Sequence, residues 1–263
     1  MLRLTFLLRK KPELSHDEFY RYWLEEHGPL VASHARRLGA LRYVQVHTLR
    51  DEAALAAAAG MAKARGGMEP IYDGVAEVWF ESRAALMEAA FSPAGRTAAT
   101  DLVKDEAKFI DLPNSPLWLG HEFPQVNPTP ENLVATPRSG LVKLYFPLRM
   151  KTALALGEAH VHWYANHGPL IRRQAAGSGI RRYVQVHRVR DERLDAAFSG
   201  ARGTAVEAYD GHAELWFERD ALAGSTPERV EAGRRAVADE AHFIDFKRSA
   251  IWLAKEQVFV DHL

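Results

Sequence analysis

The chain has 263 residues, no cysteine, and 34 basic residues against 34 acidic ones, so its formal net charge is zero. Its length suits two small domains or one fold made of two halves, and 47% hydrophobic with 26% charged residues is globular composition. A nucleic-acid groove and a polybasic membrane patch both need excess positive charge, and disulfides and thiolate catalysis need cysteine, so all four are excluded.

Leu2, Leu4, Phe6 and Leu8 alternate with Arg3, Thr5 and Leu7, the period of a strand. The basic residues Arg9, Lys10 and Lys11 follow this apolar run, whereas in a signal peptide they precede it. No stretch approaches the ~20 apolar residues of a membrane span. A cytoplasmic location, with no membrane and no nucleic acid as partner, is expected. Ser15 to Glu18 is a capping box, and Phe19, Tyr22, Trp23 and His27 follow at helical spacing. Gly28–Pro29 is expected to interrupt or end that helix. Leu41 to Leu49 reads as a second strand, with Tyr43, Gln45 and His47 on one face and Val44 and Val46 on the other. Tyr72–Asp73–Gly74 is a turn and Val75 to Phe80 a third strand. Arg83 to Phe109 holds one or two helices, and Leu117 to Phe123 is a fourth strand.

The chain then repeats itself. From Trp23 to Glu52, 16 of 30 positions are identical to those 140 residues further on, including Trp163, His167–Gly168–Pro169–Leu170 and Arg182–Tyr183–Val184–Gln185–Val186–His187. With shorter offsets Tyr72–Asp73–Gly74 returns as Tyr209–Asp210–Gly211, Glu77–Val78–Trp79–Phe80 as Glu214–Leu215–Trp216–Phe217, and Asp105–Glu106 as Asp239–Glu240. The stretch 124–140 carries four prolines and reads as a linker between repeats at 1–123 and 141–263.

The order β-α-β-β-α-β is ferredoxin-like, and the fold class is α+β. The aliphatic face of each strand is expected to meet the helices. The opposite face, with Tyr43, Gln45, His47, Glu77, Trp79 and Trp118, is too aromatic for water and too polar for a dry core. A second copy of the sheet would cover it, and the chain supplies one. The expectation is two βαββαβ repeats packed sheet to sheet as an intramolecular α/β barrel, a pseudo-dimeric monomer or a homodimer of such chains.

The string Tyr22–Trp23 to His27–Gly28–Pro29–Leu30, the strand Tyr43-x-Gln45-x-His47, Tyr72–Asp73–Gly74 to Glu77–Val78–Trp79–Phe80, and Asp105–Glu106 to Phe109 resemble the EthD-like family of the dimeric α/β-barrel superfamily. Both halves carry the resemblance, which implies a tandem EthD-like protein. It implies no single activity: related small barrels include decarboxylases, polyketide cyclases, isomerases, cofactor-free monooxygenases and haem proteins, and the family's founding member has an accessory role.

His27 and His167 are the first catalytic candidates. Each follows a tryptophan (Trp23, Trp163) by four residues on an apolar stripe, and histidine exchanges protons near neutral pH. The alternative is a helix-terminal histidine bonded to backbone. His47 and His187, with Tyr43, Gln45, Tyr183 and Gln185, form either a polar substrate wall or a seam between sheets with Glu77 and Glu214. His121, His162, His212 and Lys255 have no like residue in the other repeat, so they are candidates for distinguishing two pockets, or plain surface substitutions. One carboxylate of Asp105–Glu106 and of Asp239–Glu240 is placed to orient a histidine, or to make a salt bridge to Arg3 or Lys143. Tyr72 and Tyr209 offer phenol hydrogen bonds, or only pack beside their turns. The two long connections, 53–68 and 194–206, are expected to supply at least one lid.

No metal is expected, because His160 and His162 lie on different helix faces, and no cofactor, because nucleotide, haem-attachment and nucleophile-elbow motifs are missing. The function read from this is a cofactor-independent lyase, with decarboxylation as the leading case. It would act by general acid/base chemistry on a hydrophobic, preferably aromatic, small molecule in catabolism. A cofactor-free oxygenase, a cyclase or isomerase of aromatic or polyketide-like compounds, and a non-catalytic binding protein are the alternatives.

Overall fold

The computed structural model of the chain describes residues 1–127, 133–222, 224 and 226–263. The first half runs β1 (Leu2–Leu8), α1 (His16–Tyr22), α2 (Gly28–Leu38), β2 (Ala40–Thr48), α3 (Glu52–Ala64), β3 (Gly74–Phe80), α4 (Arg83–Phe91), α5 (Pro93–Glu106) and β4 (Leu117–Val126). The second runs β5 (Leu141–Leu148), α6 (Leu156–His162), α7 (Gly168–Ser178), β6 (Ile180–Val189), α8 (Glu192–Arg202), β7 (Gly211–Glu218), α9 (Pro227–Phe243) and β8 (Trp252–Asp261). Ser15 caps α1 in a reciprocal box with Glu18, as its spacing predicts.

Each half orders its strands 4-1-3-2, the ferredoxin-like arrangement, with antiparallel neighbours. The two sheets also join at their edges. β4 pairs with β6 and β8 with β2, which closes one eight-stranded barrel, β1-β3-β2-β8-β5-β7-β6-β4. Closure leaves no free sheet edge among the described residues. It also explains Pro124: β4 runs on through it to Val126, into the stretch expected as linker, and the register shifts between Pro124 and Val126, where a missing donor is tolerated. Residues 128–132 of that expected linker lie outside the described residues.

Which face points inward differs from expectation on the second strand. Cross-strand partners share a face, and Val44 lies opposite Glu77 while Tyr43 lies opposite Val78. Val44 and Val46 therefore enter the barrel with Glu77 and Trp79, and Tyr43, Gln45 and His47 face the helices. Pattern alone could not choose, because both faces of this strand are buried.

Gly28–Pro29 does not end the first helix. Trp23–His27 is a π-helical turn joining α1 to α2, and Trp163–His167 repeats it between α6 and α7. Gly28 N–H reaches back five residues to Trp23 O, and Pro29 has no N–H to continue the ordinary ladder. A side chain at Gly28 would fall within the ring of Phe259 on β8, and one at Gly168 would meet Gln125 on β4, so strands of the opposite half press on both turns.

Candidate functional site

The π turns put one histidine of each half into the space between sheet and helices. Gln45 Nε2 donates to Trp23 O at 2.7 Å and Gln185 Nε2 to Trp163 O at 2.8 Å, holding each turn from the sheet. The same amides donate to Tyr43 Oη (3.1 Å) and Tyr183 Oη (3.0 Å). Each glutamine Oε1 accepts from His47 or His187 Nε2, at 2.9 and 3.0 Å. His47 stacks on Trp23 and His187 on Trp163, at 4.6 and 4.5 Å between ring centroids. Burial pulls both imidazoles down to about 3, so they are neutral supports under the turns. They are neither a substrate wall nor a seam between sheets, because register turns them to the helix side.

His27 Nδ1 lies 2.8 Å from Asp105 Oδ2, and His167 Nδ1 lies 2.8 Å from Asp239 Oδ2. An ionised carboxylate only accepts, so Nδ1 carries the proton and Nε2 holds the lone pair. Neither Nε2 makes a hydrogen bond among the described residues. Burial would raise Asp105, yet hydrogen bonds from His27, Tyr22 (2.6 Å) and Lys108 (2.9 Å) outweigh it and hold the carboxyl well below the usual carboxylate range. Asp239 is likewise lowered against its burial, by His167 and by His162, whose Nε2 is 3.3 Å away. His162 thus braces Asp239 where Tyr22 braces Asp105.

Each histidine lines a cavity. The first-half cavity is about 500 Å³, walled by Leu4, Phe6, Val78, Phe80 and Phe91, with Tyr43 and His27 among its polar groups. The second-half cavity is about 630 Å³, walled by Leu144, Phe146, Leu215 and Trp163, with Tyr183 and His167. Burial pushes the phenols of Tyr43 and Tyr183 far above their ordinary range, so both stay protonated. No acceptor takes either phenol proton among the described residues. His167 and Tyr183 meet edge to face, 6.5 Å between centroids.

Each cavity is closed from the opposite half. α3 lends Gly60, Met61 and Ala64 to the second-half cavity, and α8 lends Leu194 and Phe198 to the first. Beyond α3, Arg65 pairs with Glu240; at the end of α8, Arg202 pairs with Glu106. The Asp-Glu pairs therefore divide their work: the aspartate orients a histidine and the glutamate binds an arginine of the other half, not Arg3 or Lys143.

The remaining candidates lie elsewhere. Trp23 packs beneath His47 and does not line the first-half cavity. Tyr72 and Tyr209 face each other at 3.4 Å beside Glu69, between Arg9 and Arg149, and line neither cavity. His121 is exposed, bonded to Met1 O. Lys255 caps the carbonyls of Leu141 and Ser139. His212 is inside the barrel, stacked on Tyr145 at 4.7 Å and pulled down to about 4 by burial. Arg65 and Arg202 complete the cavity walls beside Glu240 and Glu106, and no local motif marks these two arginines. Arg65 and Arg202 share the 137-residue offset that relates Tyr72 to Tyr209, the signal by which they could have been found.

The barrel interior gathers more charge than either cavity. Arg3 pairs with Glu77, Glu214 and Glu122, and Lys143 with Glu77, Glu214 and Glu256. Glu77, His212 and Glu214 have ligand atoms within 4.8 Å of one another, the one such group among the described residues. The Lys143 ammonium lies 3.0 Å from Glu77 and 2.7 Å from Glu214, so a cation already holds the place of an ion.

A family model, the EthD domain, matches residues 11–113 and again 151–247. The chain belongs to the EthD-domain family. It carries two EthD domains in tandem, and the dyad histidines fall one in each. Among curated proteins none matches the sequence. Of solved structures, an anthrone oxidase-like protein is similar over 100% of this EthD-domain chain and 94% of its own, with a TM-score of 0.55 and 10% identity. A "putative monooxygenase" from Fusobacterium nucleatum is similar over 98% and 93%, with a TM-score of 0.50 and 7% identity. These likenesses establish the dimeric α/β-barrel fold. No described helix is long and apolar enough to cross a membrane.

Proposed function

We propose that this protein is a cofactor-independent lyase that acts by general acid/base chemistry on a hydrophobic, preferably aromatic, small molecule, with decarboxylation as the leading case. The observation that carries this reading is the pairing, in one apolar cavity, of a histidine whose Nδ1 is bound to aspartate and whose Nε2 is unspent with a phenol whose proton is unspent. A base with a free lone pair and a neutral hydrogen-bond donor are what proton transfer next to a carbonyl or phenol requires.

For a phenolic alkenyl acid the overall change needs one proton from water and no other co-reactant. Nε2 takes the phenol proton, and Asp105 or Asp239 stabilises the imidazolium. That proton is delivered to the alkene carbon bearing the carboxylate while the phenoxide electrons flow toward it. The carbon–carboxylate bond then breaks, its electron pair restores the alkene and the phenoxide, and carbon dioxide leaves. Water finally reprotonates the phenoxide, and the hydroxide left behind combines with the carbon dioxide as bicarbonate. The apolar walls favour loss of charge from the carboxylate.

A cofactor-free oxygenase shares the first step, because the same Nε2 would generate an electron-rich anion for oxygen. The test is mass spectrometry after incubation with phenolic and aryl-alkenyl acids, with and without oxygen. Loss of carbon dioxide that is indifferent to oxygen is expected. Gain of oxygen would move the protein to the second reading, and compounds returned unchanged in mass and chromatographic position would end both.

A further inference from the structure

The two cavities differ in the charge at their rims. On α5 the residues Arg96, Thr100 and Lys104 recur every four positions, so they share one helix face, and all three line the first-half cavity. Arg96 and Lys104 are exposed. Their apolar stems therefore lie along the wall and their charged heads stand at its mouth, as long cationic side chains do beside apolar surface. Neither head pairs with a carboxylate among the described residues. The carboxylates of α5 are taken: Asp101 lies 3.7 Å from His34 Nε2, Asp105 binds His27 and Lys108, and Glu106 binds Arg202. Glu106 is the one carboxylate among the described residues that lines this cavity, so the mouth keeps two cations without counter-charge.

The second half lacks this feature. With Asp105 aligned on Asp239, Arg96 falls on Val230 and Lys104 on Ala238. Arg234 and Arg229 do line the second-half cavity, but both are held. Arg234 Nε and Nη2 donate to Glu231 at 2.8 and 2.9 Å, and Arg229 Nη1 donates to the carbonyls of Ala221 and Gly224 at 3.1 and 3.4 Å. An unpaired cation on a surface means little by itself. Two on one helix face, at the mouth of an apolar cavity of about 500 Å³, describe a ligand with an apolar body and one anionic end.

We propose that Arg96 and Lys104 form an anion-recognition site at the mouth of the first-half cavity, which takes a small apolar monocarboxylate. The carboxylate sits at the rim and the body among Leu4, Phe6, Val78 and Phe91. The second-half cavity does not select for charge. The choice of a carboxylate among anions rests on the lyase reading above, but binding does not need turnover. In that reading the rim is where the acid is first held, and the apolar walls beyond it are where its charge is lost. The two cations therefore act on KM rather than on kcat.

The experiment is titration calorimetry of the full chain with 2-naphthoate and with 2-naphthamide, which share an apolar body and differ in charge. At low salt 2-naphthoate should bind about tenfold more tightly, and the preference should shrink as salt rises, because exposed charges are screened. Arg96→Val combined with Lys104→Ala gives the first rim the residues of the second. It should abolish the preference and leave the affinity for 2-naphthamide unchanged, while Arg96→Lys and Arg234→Gln should keep the preference. Thermal melts report the folding of each variant. A preference that is absent from the wild type, survives the double substitution, ignores salt or is lost equally in Arg234→Gln would overturn the proposal, as would no binding of 2-naphthoate. Charge-selective binding without any mass change in the acid panel would retain the site and discard the lyase. Loss of carbon dioxide with a KM unmoved by the double substitution would retain the lyase and discard the site.

Discussion

The barrel interior and the helix–sheet layer are built from similar residue types and do opposite things. Inside the barrel Arg3, Lys143, Glu77 and Glu214 are all almost completely buried, and the cations lie against the carboxylates from several sides. In the outer layer the side chains surround open volume, and His27, His167, Tyr43 and Tyr183 each keep one hydrogen-bonding position unspent. Charge density marks the structural centre of this molecule, and unspent capacity beside a cavity marks the candidate site. A search for ionisable clusters alone would lead to the barrel interior instead of the candidate site.

The sharpest way to break that comparison is inside the barrel. Arg3→Met would leave Glu77, Glu214 and Glu122 short of a cation, and the expected loss is about 3–5 kcal/mol of stability, read by urea denaturation. A loss within about 1 kcal/mol would mean the network is not structural. In the outer layer His27→Gln and His167→Gln should leave the melting curve close to that of the wild type, and the one in the working cavity should lower turnover of the accepted acid by about 10²–10⁴-fold. Should both variants turn over normally, the dyads are not the chemistry.

Acidification separates the supporting histidines from the dyads. His47 and His187 are neutral in the fold and drop to about 3, below their unfolded value, so the unfolded chain binds more protons as pH falls below ~6.5. Stability is therefore lost as pH falls through that window toward about 3, by up to about 1.4 kcal/mol per unit for each histidine. His47→Asn should flatten the slope of stability against pH between 6 and 4; an unchanged slope would assign it to other groups. The smallest effect is expected at the closing helix. A side chain at Gly60 in α3 meets nothing within 4 Å, so Gly60→Ala should add about 0.5–1 kcal/mol through helix propensity alone. Destabilisation there would show that α3 must bend or move.

Much of this was legible in the chain. The two repeats, the strand and helix order, the capping box at Ser15 and the pairing of histidine with tryptophan at helical spacing all follow from local pattern, because period and offset are properties of the sequence itself. That spacing points to His27 and His167, and both line cavities. His121, His212 and Lys255 stand out in the sequence only as unmatched between repeats. They line neither cavity, because asymmetry says nothing about where a strand position points. Tyr72 and Tyr209 stand out for their phenols, but the turn before each third strand lies at the barrel end, away from the helix–sheet space.

By itself, then, the sequence determined the duplicated ferredoxin-like unit, the absence of thiol chemistry and the histidine that each helical stripe would carry inward. Tertiary structure alone decided three things. Edge pairing of β4 with β6 and of β8 with β2 turned two sheets into one barrel, a choice between partners that no single strand encodes. Register sent Tyr43, Gln45 and His47 outward to the helices, since a one-residue slip exchanges the faces of a strand buried on both sides. Closure also brought α3 and α8 across to the opposite halves, so Arg202 reaches Glu106 from 96 residues away and Arg65 reaches Glu240 from 175. Contacts at that separation depend on how the whole chain folds back on itself, and local pattern carries no record of it.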